Sequence, residues 1–516
     1  MFASCSAGSS VGGIRLGDQF GSHRLWIHQG PEEARVVEWL SANELRQVLD
    51  RALAHVVSFR AAAEDAPQVP SVGYLEALAR FDAPTPERPS DPVAIIDELA
   101  GLVDGGLMMP TGPRFFGWVI GGSHPVGVAA DWLTSAWGQN AGNHQAAPAA
   151  SAAEVVAGRW ALDLLDLPRE SAVGFTTGAT MANFTCLAVA RGAVLRAVGW
   201  DVDRQGLFGA PEVTVLIGEE AHSTVFAGLQ YLGLGRDRVV RVATDQQGAI
   251  LSEDFHRALE AVSGPTIAIL QAGQINTGAF DPFEEIVPAA RAAGAWVHVD
   301  GAFGLWARTV RSRFGLTAGV EQADSWATDG HKWPQAPYDC GLAIVRDELA
   351  IRRAMTIAAS YLPEAAADER DPTHYVPELS RRARGFATWA VIRALGRSGI
   401  AELVERDCRV ATLMADRLAA EPGVAVVNDV VLNQVLVRFG VDEAVERGDE
   451  LTRMTIRRIQ EDATCMAGGT DWRGRHVMRL SVMGGTTHEV DGVRSAEATV
   501  AAWRTIRTSA DPPPSG

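Results

Sequence analysis

"TIAILQAGQINTGAFDPFEEIVPAARAAGAWVHVDGAFG", residues 266–304, reads as a strand, a helix and a second strand. "TIAIL" is a near-continuous apolar run, the pattern of a strand buried on both faces. In "PFEEIVPAARAAG", Phe283, Ile286, Val287 and Ala290 recur at three- and four-residue spacing and form one helical face. "AWVHVD" then returns to an apolar run. Two such strands joined by a helix pair in parallel, because the crossover carries the chain back to the starting edge. The same alternation appears upstream, where "VTVLIGEEA" precedes "STVFAGLQYLG". The repeated pattern predicts an α/β fold with a mostly parallel sheet covered on both faces by helices.

Around this centre the chain divides into parts. Residues 1–110 are expected to form an N-terminal helical segment, with "PEEARVVEWLSANELRQVLDRALAHVVSFRAAAE" carrying the helical spacing. Residues 111–380 form the large domain. Residues 381–505 form a smaller C-terminal α+β domain, with "VVLNQVLVRFG" and "RHVMRLSVMG" as strands, and residues 506–516 form a disordered tail. The 47% hydrophobic and 21% charged content of the 516 residues suits a soluble globular chain with a large core. A net charge of −17 argues against nucleic acid or an anionic membrane as partner, and no apolar run is long enough to span a bilayer. Five scattered cysteines without CxxC spacing suit reduced thiols rather than disulfides or a metal site. With no secretory leader legible in the first 20 residues, a cytoplasmic location is expected.

The chain holds 46 lysines and arginines, of which one, Lys332 in "TDGHKW", is a lysine. A solvated surface cation has no need of lysine. A Schiff base does, since an amine adds to an aldehyde and a guanidinium that never deprotonates does not. Three further features precede it. "AVGFTTGATMAN" reads as a strand, a Thr/Gly turn and a helix start whose free N–H groups suit a phosphate, although a simple capped helix reads the same way. His222 and Asp300 each sit at the end of an apolar strand, where an open α/β sheet faces its ligand crevice, although either one alone is also a common capping residue. Phosphate turn, strand-end histidine, strand-end aspartate and lone lysine, in that order, match what pyridoxal 5'-phosphate (PLP) requires. No GxxxxGK[ST], HExxH or GxGxxG motif competes. "GSSVG" at residues 8–12 lacks the strand that a nucleophile elbow needs.

Over roughly residues 80–505 the chain resembles the fold-type-I, group II PLP-dependent amino acid decarboxylases, which include the aromatic amino acid, glutamate and diaminobutyrate enzymes. "RFFGWVIGGSHPVGVAADWL", "TTGATMAN", "EEAHSTV", "HVDGAFG" and "TDGHKW" carry the resemblance. It implies a seven-stranded sheet and a homodimer with shared active sites, the N-terminal segment wrapping the partner. It implies Lys332 as the aldimine lysine, Asp300 as partner of the pyridine nitrogen, Ala302 beneath the ring and His222 stacked on it, with Gly178, Ala179, Thr180 and His331 toward the phosphate. The implied reaction is decarboxylation of an L-amino acid to its amine through a quinonoid.

The sequence departs from the family in three places. Gln274 and Ile275 replace two threonines, leaving Asn276 to contact the cofactor's phenolic oxygen. Met181 replaces a glutamate. Pro372 falls where relatives carry the tyrosine that reprotonates Cα, so Tyr375, or His374 beside it, is expected to act from a shifted position. The alternatives are other outcomes on the same cofactor (oxidative deamination to an aldehyde, β- or carbon–sulfur lysis, transamination) and a scaffold without turnover. Arg479 in "VMRLSV" reads either as a carboxylate grip or as a surface ion pair.

Overall fold

The computed structural model describes residues 40–357 and 369–510. Seven strands form the large sheet: β1 (Ala172–Thr176), β2 (Thr214–Gly218), β3 (Val240–Val242), β4 (Thr266–Gln271), β5 (Trp296–Asp300), β6 (Ser325–Asp329) and β7 (Gly341–Val345). Their order is β1-β7-β6-β5-β4-β2-β3. β2 to β6 run parallel, and β7 lies antiparallel to both of its neighbours. Parallel strands bring their C-terminal ends to one rim, so Gly218, Gln271, Asp300 and Asp329 share an edge.

The decisive stretch folds as read. The helix Phe283–Ala292 buries Phe283, Ile286, Val287 and Ala290, the face its spacing selects. One layer of core under the sheet joins these side chains to Leu270, Val297, Val299 and Trp326. The opposite face is covered by the helix Ala179–Ala197 through Ala182, Cys186, Leu187 and Val189. The sheet is therefore dry on both sides, which is why its strands lack alternation.

The smaller sheet contains β8 (Val424–Val426), β9 (Gln434–Phe439), β10 (Gly468–Trp472) and β11 (Arg475–Ser481), ordered β10-β11-β9-β8 and antiparallel throughout. Val435, Val437, Met478 and Leu480 point into a core shared with Trp503 of the helix Glu489–Ala510. That helix runs past residue 506, where a disordered tail was expected. Ile506 packs on the core, and Arg507 reaches Asp442 at 2.9 Å, so its last turns have partners. Phe116 also enters this core and Phe115 bridges Met466, so the small domain draws in chain from before residue 380.

The helices Ala42–Ala62, Tyr74–Phe81 and Pro92–Val103 bury no residue. Leu45, Leu49, Leu53, Leu75, Leu78, Phe81 and Leu99 are exposed on them. The expected helix start at residues 31–39 lies outside the described residues. The four described cysteines are free and buried. No helix among the described residues is long and apolar enough to cross a membrane.

Candidate active site

A cavity of about 320 Å³ opens at the rim where β4, β5 and β6 end. Asp300 closes β5 and faces this space at 6% exposure. Burial raises its pKa above the ordinary carboxylate value, against the lowering effect of the His222 and Lys332 charges. His222 caps the helix Ser223–Tyr231, its Nδ1 accepting the Thr224 N–H at 3.4 Å. Burial lowers the pKa of the imidazole, against the opposing effect of the Asp300 charge.

Lys332 lies three residues beyond the end of β6. Its backbone is pressed against Gly121, where a Cβ would stand 2.5 Å from the carbonyl oxygens of both His331 and Lys332. Trp333 anchors the next position: its indole N–H donates to the buried Asp407 at 2.9 Å, and its ring packs near Phe303. The Lys332 Nζ is 3.1 Å from Asp329 Oδ2 and 5.6 Å from the centre of the Phe303 ring.

On the facing wall, the turn after β1 presents Thr177, Gly178, Ala179 and Thr180 to the cavity. The Ala179 N–H at the helix start donates to Asp329 Oδ1 at 2.6 Å. His331 Nε2 lies 3.4 Å from the same oxygen, and the ring stacks on Tyr338 with centroids 4.2 Å apart. Gly178 is held close: a Cβ there would meet His331 at 3.1 Å, and one on Gly341 would strike the Gly178 backbone at 2.4 Å.

These residues fit PLP. The helix start already holds an oxyanion, the Asp329 carboxylate, which shows that its donors suit a phosphate. Ala302 is a small wall residue beside the one amine and beside a buried carboxylate. Of the sequence-expected residues, Lys332, Asp300, His222, Ala302, Gly178, Ala179, Thr180 and His331 all line this one cavity.

Asn276 is not among the lining residues, although Ile275 is. Its Oδ1 accepts from Arg479 Nη1 at 2.9 Å. Tyr375 is not there either. It borders a separate cavity of about 270 Å³, is 3% exposed, and donates its hydroxyl to Glu348 while Arg370 lies 3.8 Å over its ring. Pro372 is buried in the short turn Pro372–His374, and His374 does not line the lysine cavity. Among the lining residues that the sequence reading did not single out are Trp118, Tyr338 and Asp329. The signal for Asp329 was present in "TDGHKW", at the end of a strand and beside the lysine.

A strand rim holding one amine, a buried carboxylate and a helix-start anion site defines a PLP-binding fold. The model of the pyridoxal-dependent decarboxylase conserved domain matches residues 74–440, and the chain belongs to that family. It is a PLP-dependent carboxy-lyase of amino acids. Tryptophan decarboxylase 1 of Oryza sativa subsp. japonica is 28% identical over 492 residues, covering 90% of this chain and 94% of that one. Phenylacetaldehyde synthase of Arabidopsis thaliana is 23% identical, covering 88% and 95%. The crystal structure of Oryza sativa TDC with PLP and tryptamine superposes with a TM-score of 0.85 at 23% identity, covering 91% of this chain and all of that one.

Proposed function

We propose that the protein decarboxylates an L-amino acid with an aromatic or apolar side chain to the corresponding amine. The observation that carries this reading is the cavity wall: Trp118, Val119, Ile120, Ile275 and Phe303 line the space with Lys332, and among the described residues no arginine lines it to pair with an acidic side chain. The names of the tryptophan decarboxylase and of the Bacillus atrophaeus aromatic-L-amino-acid decarboxylase, 24% identical, agree with it.

Bound PLP would supply an electron sink for the pair left on Cα when CO2 departs. Lys332 is its attachment point. Asp300 holds a proton on the pyridine nitrogen, and burial keeps water from screening that contact. His222 and Ala302 enclose the ring, and Gly178, Ala179, Thr180 and His331 face its phosphate. Arg479 does not line the cavity; its Nη1 donates to Asn276 Oδ1 at 2.9 Å, behind the lining residue Ile275. Tyr338 is the Cα proton donor. The residue lines the cavity while remaining about half exposed, and partial desolvation together with nearby Asp329 pushes its pKa up to about 12, so it retains its proton.

Pro372 and the engagement of Tyr375 with Glu348 favour a second reading, oxidative deamination to the aldehyde, and the Arabidopsis thaliana relative is named for an aldehyde. Incubation with aromatic, aliphatic and acidic L-amino acids, read by mass spectrometry and peroxide assay, separates the two. Amine without peroxide supports the first reading, and aldehyde with stoichiometric peroxide replaces it with the second. Turnover confined to acidic substrates would refute the side-chain assignment. The uncovered apolar faces of the N-terminal helices support a homodimer with the active site shared between subunits.

A further inference from the structure

Asp329 is the one lining residue whose charge has the wrong sign for its place. It is 3% exposed and reaches three groups at once: the Ala179 N–H at 2.6 Å, His331 Nε2 at 3.4 Å and Lys332 Nζ at 3.1 Å. The first two belong to the surface that faces the cofactor phosphate, and the third is the amine that must attack its aldehyde. Both functions are blocked in this arrangement. A helix-start N–H already occupied by a carboxylate is not free for a phosphate oxygen, and a lysine Nζ held by a carboxylate is not free to attack an aldehyde. Asp300, the thiol of Cys340, His222 and Tyr338 also lie within reach of the Asp329 charge.

We propose that Asp329 is a loading latch: in the cofactor-free protein its carboxylate occupies the phosphate cradle and ties down the Lys332 Nζ, and an incoming phosphate displaces it and frees that nitrogen. The role rests on the PLP assignment above and goes beyond it, because it concerns how the site is filled rather than what it catalyses. Asp329 is a positioning residue here, acting through Ala179 and Lys332.

Two measurements on the full-length cofactor-free protein test the latch. In the first, inorganic phosphate is titrated calorimetrically into wild type and into Asp329→Asn, which preserves shape and removes the charge. The variant should bind phosphate more tightly by roughly tenfold or more, since a buried like charge is gone. Equal or weaker binding by a folded variant overturns the proposal. The second needs only the wild type and so stands even if the variant does not fold. Cofactor-free protein is treated with pyridoxal, which lacks the phosphate, then with borohydride, and Lys332 labelling is timed with and without inorganic phosphate. Free phosphate should accelerate labelling several-fold by displacing Asp329. Labelling that phosphate leaves unchanged or slows overturns the latch while leaving the cofactor assignment intact, whereas no label on Lys332 under any condition overturns both.

Discussion

His298 offers a quantitative test of how the rim is held. It lies on β5 two residues before Asp300, so the two side chains leave the same face of the strand. The ring is fully buried between two partners: Nδ1 lies 3.0 Å from Ser325 Oγ on β6 and Nε2 lies 2.9 Å from Asn183 Oδ1 on the helix Ala179–Ala197. It thus ties the strand that presents Asp300 to the helix whose start faces the phosphate. Burial pushes its pKa from 6.5 down to about 3. A depressed folded pKa means that the unfolded chain takes up a proton below pH 6.5 while the folded chain does not, so stability is lost as pH falls. By pH 5 the loss from this ring is about 2 kcal/mol, and it continues to grow until the folded protein titrates. His298→Gln retains a hydrogen-bonding side chain and removes the titration. Urea denaturation at pH 7 and pH 5 should show wild type losing about 2 kcal/mol more than the variant over that interval. Parallel losses in the two proteins would show that His298 is not the acid-sensitive tie.

Asp300→Asn should lower kcat by roughly 10²- to 10³-fold, the usual cost of removing a preorganised charge partner, while the unfolding midpoint stays level or rises because a buried charge is gone. A proportionate fall in stability would instead mark Asp300 as structural. Tyr338→Phe should slow amine formation and raise the aldehyde and peroxide fraction, whereas Tyr375→Phe should leave the product ratio unchanged because its hydroxyl is committed to Glu348. A rise in aldehyde with Tyr375→Phe alone would return the proton transfer to the loop.

The large sheet was legible because strands buried on both faces carry their signal within themselves, as "TIAIL" and "WVHVD" do, and because strand ends mark a ligand rim. Lys332, His222 and Asp300 followed from those strand ends and from the single lysine, whereas Ala302, His331 and the individual residues Gly178, Ala179 and Thr180 of the phosphate turn were named from the resemblance to the family. The missing parts depend on contacts distant in sequence. Asp329 meets Ala179 across 150 residues, and Asn276 meets Arg479 across 203. A motif shows a residue's neighbours along the chain, not the donor that will face it. The domain boundaries blurred for the same reason. Phe116 belongs to the small core although it precedes the large sheet, and the helix Arg384–Ala419 gives Ile400 and Cys408 to one core and Val410 and Leu418 to the other. Tyr375 was chosen by its place in the chain, and its burial against Glu348 has no sequence signature.

The central claim is that Lys332 carries the cofactor. Borohydride reduction of the PLP-loaded protein followed by peptide mapping tests it directly, because the sequence contains no second lysine to compete. The account predicts a single pyridoxyl-labelled peptide spanning "TDGHKW", with the visible absorbance of the cofactor lost on reduction. A label confined to the N-terminal amine, or no label on a protein that has bound PLP, would contradict it.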